Sequence, residues 1–316
     1  MDIIKERKMM KKKETMHTKR RNEILFLICL FTFPIIHKLV FYFGSNLTSF
    51  GLAFQKYDSA TNTYIFDGFN QIKMVLSDLS TSLILRQSLK NTMKLYFVNL
   101  FISIPISLFC SYFVVKKVPG SGALKVIFFL PSIVSGVVMV LVFKYFCEYA
   151  IPNLATNIFG VKRFPLILQE KDTAFFMMIV YSLWTGFAGG IVLYVGTMSK
   201  TPEGCVEAAQ LDGVSVLGEF WHITLPTVWP MLSVFLITGV TGMFTGGGPE
   251  YTFYGDTAPT YCYTMGYFLF TRVIGENASP TMYPYAAAVG FLVTIVAMPL
   301  TFGVKWLTEH CGPSEE

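Results

Sequence analysis

Six apolar stretches, at residues 24–43, 95–115, 126–146, 174–195, 228–244 and 285–306, dominate the sequence. A helix needs roughly 20 residues to cross ~30 Å of hydrocarbon. All six approach that length, and 228–244, the shortest, leans on its flanking residues. In hydrocarbon no water is available to satisfy a backbone amide. A spanning segment must therefore be a helix or part of a closed barrel. Barrel strands are ~10 residues long and alternate in polarity, whereas these runs are continuous. The expected fold class is an all-α membrane protein with six transmembrane helices. Charged residues make up 14% of the chain, against about 25% in a soluble domain.

The formal net charge of +5 does not point to nucleic acid. Residues 1–23 hold nine Lys/Arg and four Asp/Glu, so this tail carries the whole excess. A basic tail just before a span follows the positive-inside rule and is drawn to anionic lipid. The first apolar stretch is longer than a signal-peptide core, and no small-residue cleavage site follows it. It is expected to be retained. The six cysteines form no CxxC pair and no zinc spacing, so no metal site is expected. Most behave as small hydrophobes, with a Cys147–Cys262 disulfide as the one alternative.

Six spans and a basic N-terminus predict both termini in the cytoplasm. The organisation is then a cytoplasmic tail at 1–23, a six-helix transmembrane domain at 24–308 and a second cytoplasmic tail at 309–316. Segments 44–94, 147–173 and 245–284 fall outside, and 116–125 and 196–227 inside. Apolar residues at Phe69, Ile72, Val75, Leu76 and Leu79 recur at helix period. They predict an amphipathic helix over 67–89, resting on the membrane or on the span ends. Lys38, Lys144 and Lys305 lie near span ends and can snorkel, and Lys144 has Glu148 one turn on. With so little charge inside the spans, neither a proton pump nor a strongly charged solute is expected. No GxxxxGK[ST] loop is present, so the chain is not expected to hydrolyse ATP.

The inner segment 198–226 reads Glu207-Ala208-Ala209, three residues, Gly213, nine residues, then Ile223, one residue, Leu225-Pro226. Thr201 and Pro202 signal a helix start as N-cap and first turn, predicting a helix from 202 to about 211. Ala208 and Ala209 favour helix and let a partner approach closely. Gly213 supplies a backbone conformation that a Cβ resists. A second short helix is expected over 215–222. Val206, Leu211, Val214, Leu217 and Phe220 would offer a docking face.

This segment fills every position of the EAA loop, EAA-x3-G-x9-I-x-LP. Asn91-Thr92, Phe129-Leu130-Pro131, Gly247-Gly248-Pro249 and Tyr283 to Ala288 occur in the order seen in one family. The chain resembles the permeases of type I binding-protein-dependent ABC importers, in the sugar branch that includes the maltose permease. The resemblance implies a type I ABC importer permease fold in a bacterial plasma membrane, with the EAA loop as a cytoplasmic coupling element. It implies a complex with a second related permease, two ATPase subunits and an extracellular solute-binding protein. ATP and Mg would be bound by the ATPases and no cofactor by this chain. Glu207, Ala208, Ala209, Gly213, Ile223, Leu225 and Pro226 would couple to the ATPase.

The resemblance also implies a solute path. An aromatic at the distance of Trp184 from the motif contacts sugar in the maltose permease, and a flat ring suits a pyranose face. Tyr181, Ser182 and Thr185 lie beside it, and Thr241 lies in the Thr- and Gly-rich fifth stretch. The expected function is carbohydrate import by alternating access. A peptide or polyamine permease and a non-transporting membrane sensor remain the alternatives. Where the maltose permease has amide side chains, this chain has Val234 and Ile237, which leaves the sugar open.

Overall fold

The computed structural model describes residues 21–160, 166–244, 246, 248–276 and 278–313. Most of the basic tail, and with it Thr245 and Gly247, lie outside the described residues. Among the described residues, six helices are long and apolar enough to cross a membrane: Arg21–Leu52, Leu83–Val115, Gly136–Ile158, Lys171–Met198, Val216–Met243 and Tyr283–His310. They are called the first to sixth spans below.

The second and fourth spans form the closest-packed pair. Gly186 and Gly190 of the fourth face Ser103 and Ser107 of the second, so near that an added Cβ would stand 3.0 Å and 3.3 Å from those side chains. Small residues on both sides let two backbones approach, as membrane helices do in place of hydrophobic association. Serines in the seam satisfy themselves locally: Ser111 donates to the Ser107 carbonyl at 2.6 Å. The first span lies at the periphery, its apolar residues exposed along most of its length. It touches the bundle at its end, where Phe50, and Phe54 two residues beyond the helix, hold their rings 5.7 Å and 5.4 Å from Phe291 of the sixth span.

Three boundaries differ from the sequence reading. The third apolar stretch is not one helix. Ser121–Ile133 is a separate helix containing Pro131, Val134 and Ser135 are extended, and the span begins at Gly136. Hydropathy runs smoothly over this break because Ser and Gly interrupt the backbone without adding charge. The amphipathic segment also divides. Asn70–Thr81 is the surface helix, Ser82 turns the chain at ψ 115°, and residues from Leu83 onward belong to the second span. Ser82 caps that span by accepting from the Leu85 N–H at 3.4 Å. Finally, the short helix after Gly213 does not end before the membrane. It continues into the fifth span through a π-helical turn, Phe220–Thr224. The widened turn lies next to Pro226, which has no N–H to offer the ladder.

Opposite the Glu207 loop, a hairpin pairs Gln55–Asp58 with Thr63–Phe66, an element the sequence reading did not foresee. The Asn70–Thr81 helix buries Ile72 and Val75 against Ala288 and Val289 of the sixth span. Asp78 accepts from the Tyr285 hydroxyl at 2.7 Å. The amphipathic helix therefore rests on the end of a span. Lys144 donates to the Phe253 carbonyl at 3.1 Å and forms no ion pair with Glu148. Lys305 pairs with Glu309 at 3.8 Å. Cys147 and Cys262 share one buried cluster as free thiols.

Candidate functional site: a coupling loop and a cavity

The loop carrying Glu207 starts where the fourth span ends at Met198. Pro202, not Thr201, is the N-cap, and the helix is Glu203–Leu211. Gly213 closes it with φ +72°. The Val214 N–H reaches back to the Ala209 carbonyl at 3.0 Å and the Gly213 N–H to Gln210 at 3.1 Å, a Schellman-type stop. Ser215 then caps the next turn, accepting from the Gly218 N–H at 3.1 Å.

The seven motif residues divide by direction. Glu207, Ala208 and Gly213 are exposed, whereas Ala209 is buried and Ile223, Leu225 and Pro226 are partly buried. Glu207 makes no ion pair or side-chain hydrogen bond with the described residues. Around it the loop presents Leu211, 89% exposed, with Val214, Val216 and Leu217. An apolar patch beside a free carboxylate is a surface built to be covered. Phe220, expected on that face, instead turns inward, stacked on Phe109 at 4.7 Å. Glu219, which the sequence reading passed over, is buried and paired with Lys116. The signal was an acid next to two apolar residues on a helix, too common to single out.

A cavity of about 310 Å³ lies among the second, fourth and fifth spans. The second contributes Thr92, Leu95, Tyr96, Asn99, Leu100 and Ile104, the fourth Ser182, and the fifth Phe235, Leu236, Gly239, Gly242 and Met243. Gly246, Gly248 and Thr264 close the end opposite the loop. Asn99 and Leu100 fall in a π-helical turn, Asn99–Ser103, a distortion often found at functional sites. The fifth-span glycines Gly239 and Gly242 thus line open space.

Of the residues expected along the solute path, the cavity takes Ser182 but not Trp184, Tyr181, Thr185 or Thr241. Trp184 is half-buried and lies 6.1 Å from the Phe143 ring of the third span. Tyr181 is buried against Phe143 and Phe253 at 5.3 Å and 5.5 Å. Thr185 donates to the Tyr181 carbonyl at 2.9 Å, and Thr241 to the Thr238 carbonyl at 2.9 Å.

Behind Gly248 stands Glu250, 0% exposed. Its carboxyl occupies the space a Cβ on Gly248 would need. Neither oxygen has a hydrogen-bond partner. Thr264 lies beside it; its oxygen accepts from the Tyr267 N–H at 3.3 Å, which leaves its own O–H free to turn toward the carboxyl and offset part of the burial. Burial holds the Glu250 carboxyl well above the usual carboxylate range.

The family described as binding-protein-dependent transport system inner membrane component matches residues 95–314, from the cavity wall through the loop and beyond. The chain belongs to this family. Among the relatives of this permease, the multiple sugar-binding transport system permease protein MsmF of Streptococcus mutans is 25% identical over 273 residues, 83% of this chain and 88% of its own. The arabinooligosaccharides transport system permease protein AraP of Bacillus subtilis is 24% identical, covering 67% of each chain. The maltose/maltodextrin permease MalF of Shigella flexneri is 27% identical over 56% of this chain and 36% of its own. A bacterial alginate ABC transporter, solved with a pentasaccharide-bound periplasmic protein, has the same fold. One of its chains superposes with TM-score 0.73 at 18% identity, covering 93% of this permease and 97% of that chain.

Proposed function

We propose that this permease carries a carbohydrate across the bacterial plasma membrane by alternating access. It works with a second permease, an external solute-binding protein, and two ATPases that bind ATP and Mg. Both termini and the Glu207 loop lie in the cytoplasm. One observation carries this reading. The helix that lines the cavity with Gly239 and Gly242 begins at Val216, inside the loop and just after the Gly213 stop, so a force on this part of the loop passes directly into one wall of the cavity. The sugar and oligosaccharide relatives support the solute class. The cavity offers Asn, Ser, Thr and Tyr side chains beside apolar ones and no ionised group, which suits a hydroxylated neutral molecule. The test is uptake of labelled oligosaccharides by the complex reconstituted in vesicles. ATP-dependent accumulation that requires the binding protein is expected, and uptake of peptides or polyamines instead would overturn the reading.

One observation favours a variant of it. Arg86, Lys90 and Lys94 line a groove beside the cavity, spaced one turn apart, and none has an acidic partner among the described residues. Like charges at this spacing destabilise a helix, so an anion from outside would relieve them. An acidic saccharide fits, and the alginate importer handles such a molecule. Competition between neutral and uronic oligosaccharides for uptake separates the two.

A further inference from the structure

The cavity has two principal walls, the second and fifth spans. Only the fifth is covalently continuous with the Glu207 loop. A push on the loop would tilt one wall and leave the other behind unless something joins them. The joint is a cluster at the loop end of the second span. Phe109, Tyr112 and Lys116 recur at i, i+3 and i+7 and so share a helix face. Phe109 stacks on Phe220, with rings 4.7 Å apart and 23° between their planes. Tyr112 meets the same ring edge-on at 5.3 Å and donates its hydroxyl to the Val216 carbonyl at 3.1 Å. Lys116, the C-cap of the helix, pairs with Glu219. Glu219 is nearly fully buried.

We propose that the Lys116–Glu219 pair is a second arm of the coupling device, making the second span move with the fifth when the loop is displaced. The proposal rests on the permease reading above. A buried ion pair is a poor source of stability, because desolvation offsets its attraction. It is a good source of direction, because neither partner tolerates separation. From Lys116 to Asn99 the second span runs 17 residues, ~25 Å at the helical rise. The π-helical turn at Asn99–Ser103 then falls at the cavity, where a displacement of the rod re-aims Asn99 and Leu100. Glu219 and Lys116 are positioning residues, since neither lines the cavity.

The test uses the whole reconstituted complex and reads solute transported per ATP hydrolysed. Lys116→Met and Glu219→Gln are expected to retain the ATPases on co-elution and to keep basal hydrolysis. Transport per ATP should fall at least about fivefold, the lower end of measured site couplings. The exchanged pair, Lys116→Glu with Glu219→Lys, should recover much of it. Tyr112→Phe removes one further tie without burying a charge and should lower the same ratio less. Single variants with unaltered transport per ATP would overturn the proposal. So would single variants that lose the ATPases and regain them in the exchanged pair, since that outcome assigns the pair to assembly. A wild-type complex without solute-stimulated hydrolysis would refute the permease reading itself.

Discussion

Asn91 and Tyr263 stand 172 residues apart, yet the Asn91 amide donates to the Tyr263 carbonyl at 2.9 Å. The same amide donates to the Tyr261 carbonyl at 2.8 Å. Its neighbour Thr92 accepts from the Met265 N–H at 2.8 Å. These bonds tie the segment after the fifth span to the second span, immediately above the cavity. Asn91→Leu leaves two carbonyls without this donor, at ~1–3 kcal/mol for each group left unsatisfied. The solubilised protein should unfold at a lower temperature, and an unchanged Tm would show that the tie is dispensable.

Labelling checks the orientation. In a background with the exposed Cys29 and Cys205 replaced by Ser, Ser59→Cys in the hairpin turn should react with an impermeant thiol reagent added to intact cells. Leu211→Cys should react only after the membrane is opened. Labelling of position 211 from outside would reverse the topology.

Gly213 holds φ +72°, and nothing lies within 4 Å of the position a Cβ would take. A substitution there meets backbone strain and no clash. Gly213→Val should cost ~1–2 kcal/mol in the loop and turn the Glu203–Leu211 helix away from its partner. Weaker co-elution of the ATPase, or loss of stimulation by loaded binding protein, is the expected result. Gly213→Asn, which tolerates this region better, should do less harm.

Asn99 faces the cavity and Trp184 packs toward Phe143. Asn99→Ala should raise the KM for uptake by up to about tenfold, the loss of one net hydrogen bond. Trp184→Ala should lower Tm with little change in KM. The reverse pattern would return Trp184 to the solute path.

Glu250 gives a pH dependence with a definite sign. Its folded carboxyl titrates above the ordinary value of 4.5 because burial penalises the anion. Below the unfolded value both states carry the proton and nothing is lost. As pH rises past it the unfolded chain ionises first, and stability declines until the folded group also ionises. Glu250→Gln, neutral throughout, should flatten that decline in a Tm-against-pH series. A wild-type series that rises across the same window would contradict the buried, unpaired carboxyl.

The number of spans and the helix-stop at Gly213 were legible in the residues, because each depends on local chemistry. A long continuous apolar run satisfies its amides in lipid as a helix, and a glycine between two short helical patterns, as at Gly213 with φ +72°, supplies the left-handed stop that a Cβ would strain. The break at Val134-Ser135 and the continuity from Val216 into the fifth span were not legible. Hydropathy registers composition, and neither the extended backbone nor the π-helical turn changes it. The cavity was decided entirely by tertiary structure. Which face of the fourth span meets the second depends on how Gly186 and Gly190 seat against Ser103 and Ser107, and that packing turns Ser182 toward open space and Trp184 toward Phe143. The Lys116–Glu219 pair has the same origin. Its partners lie 103 residues apart, and only the docking of the loop against the end of the second span shields them from water together.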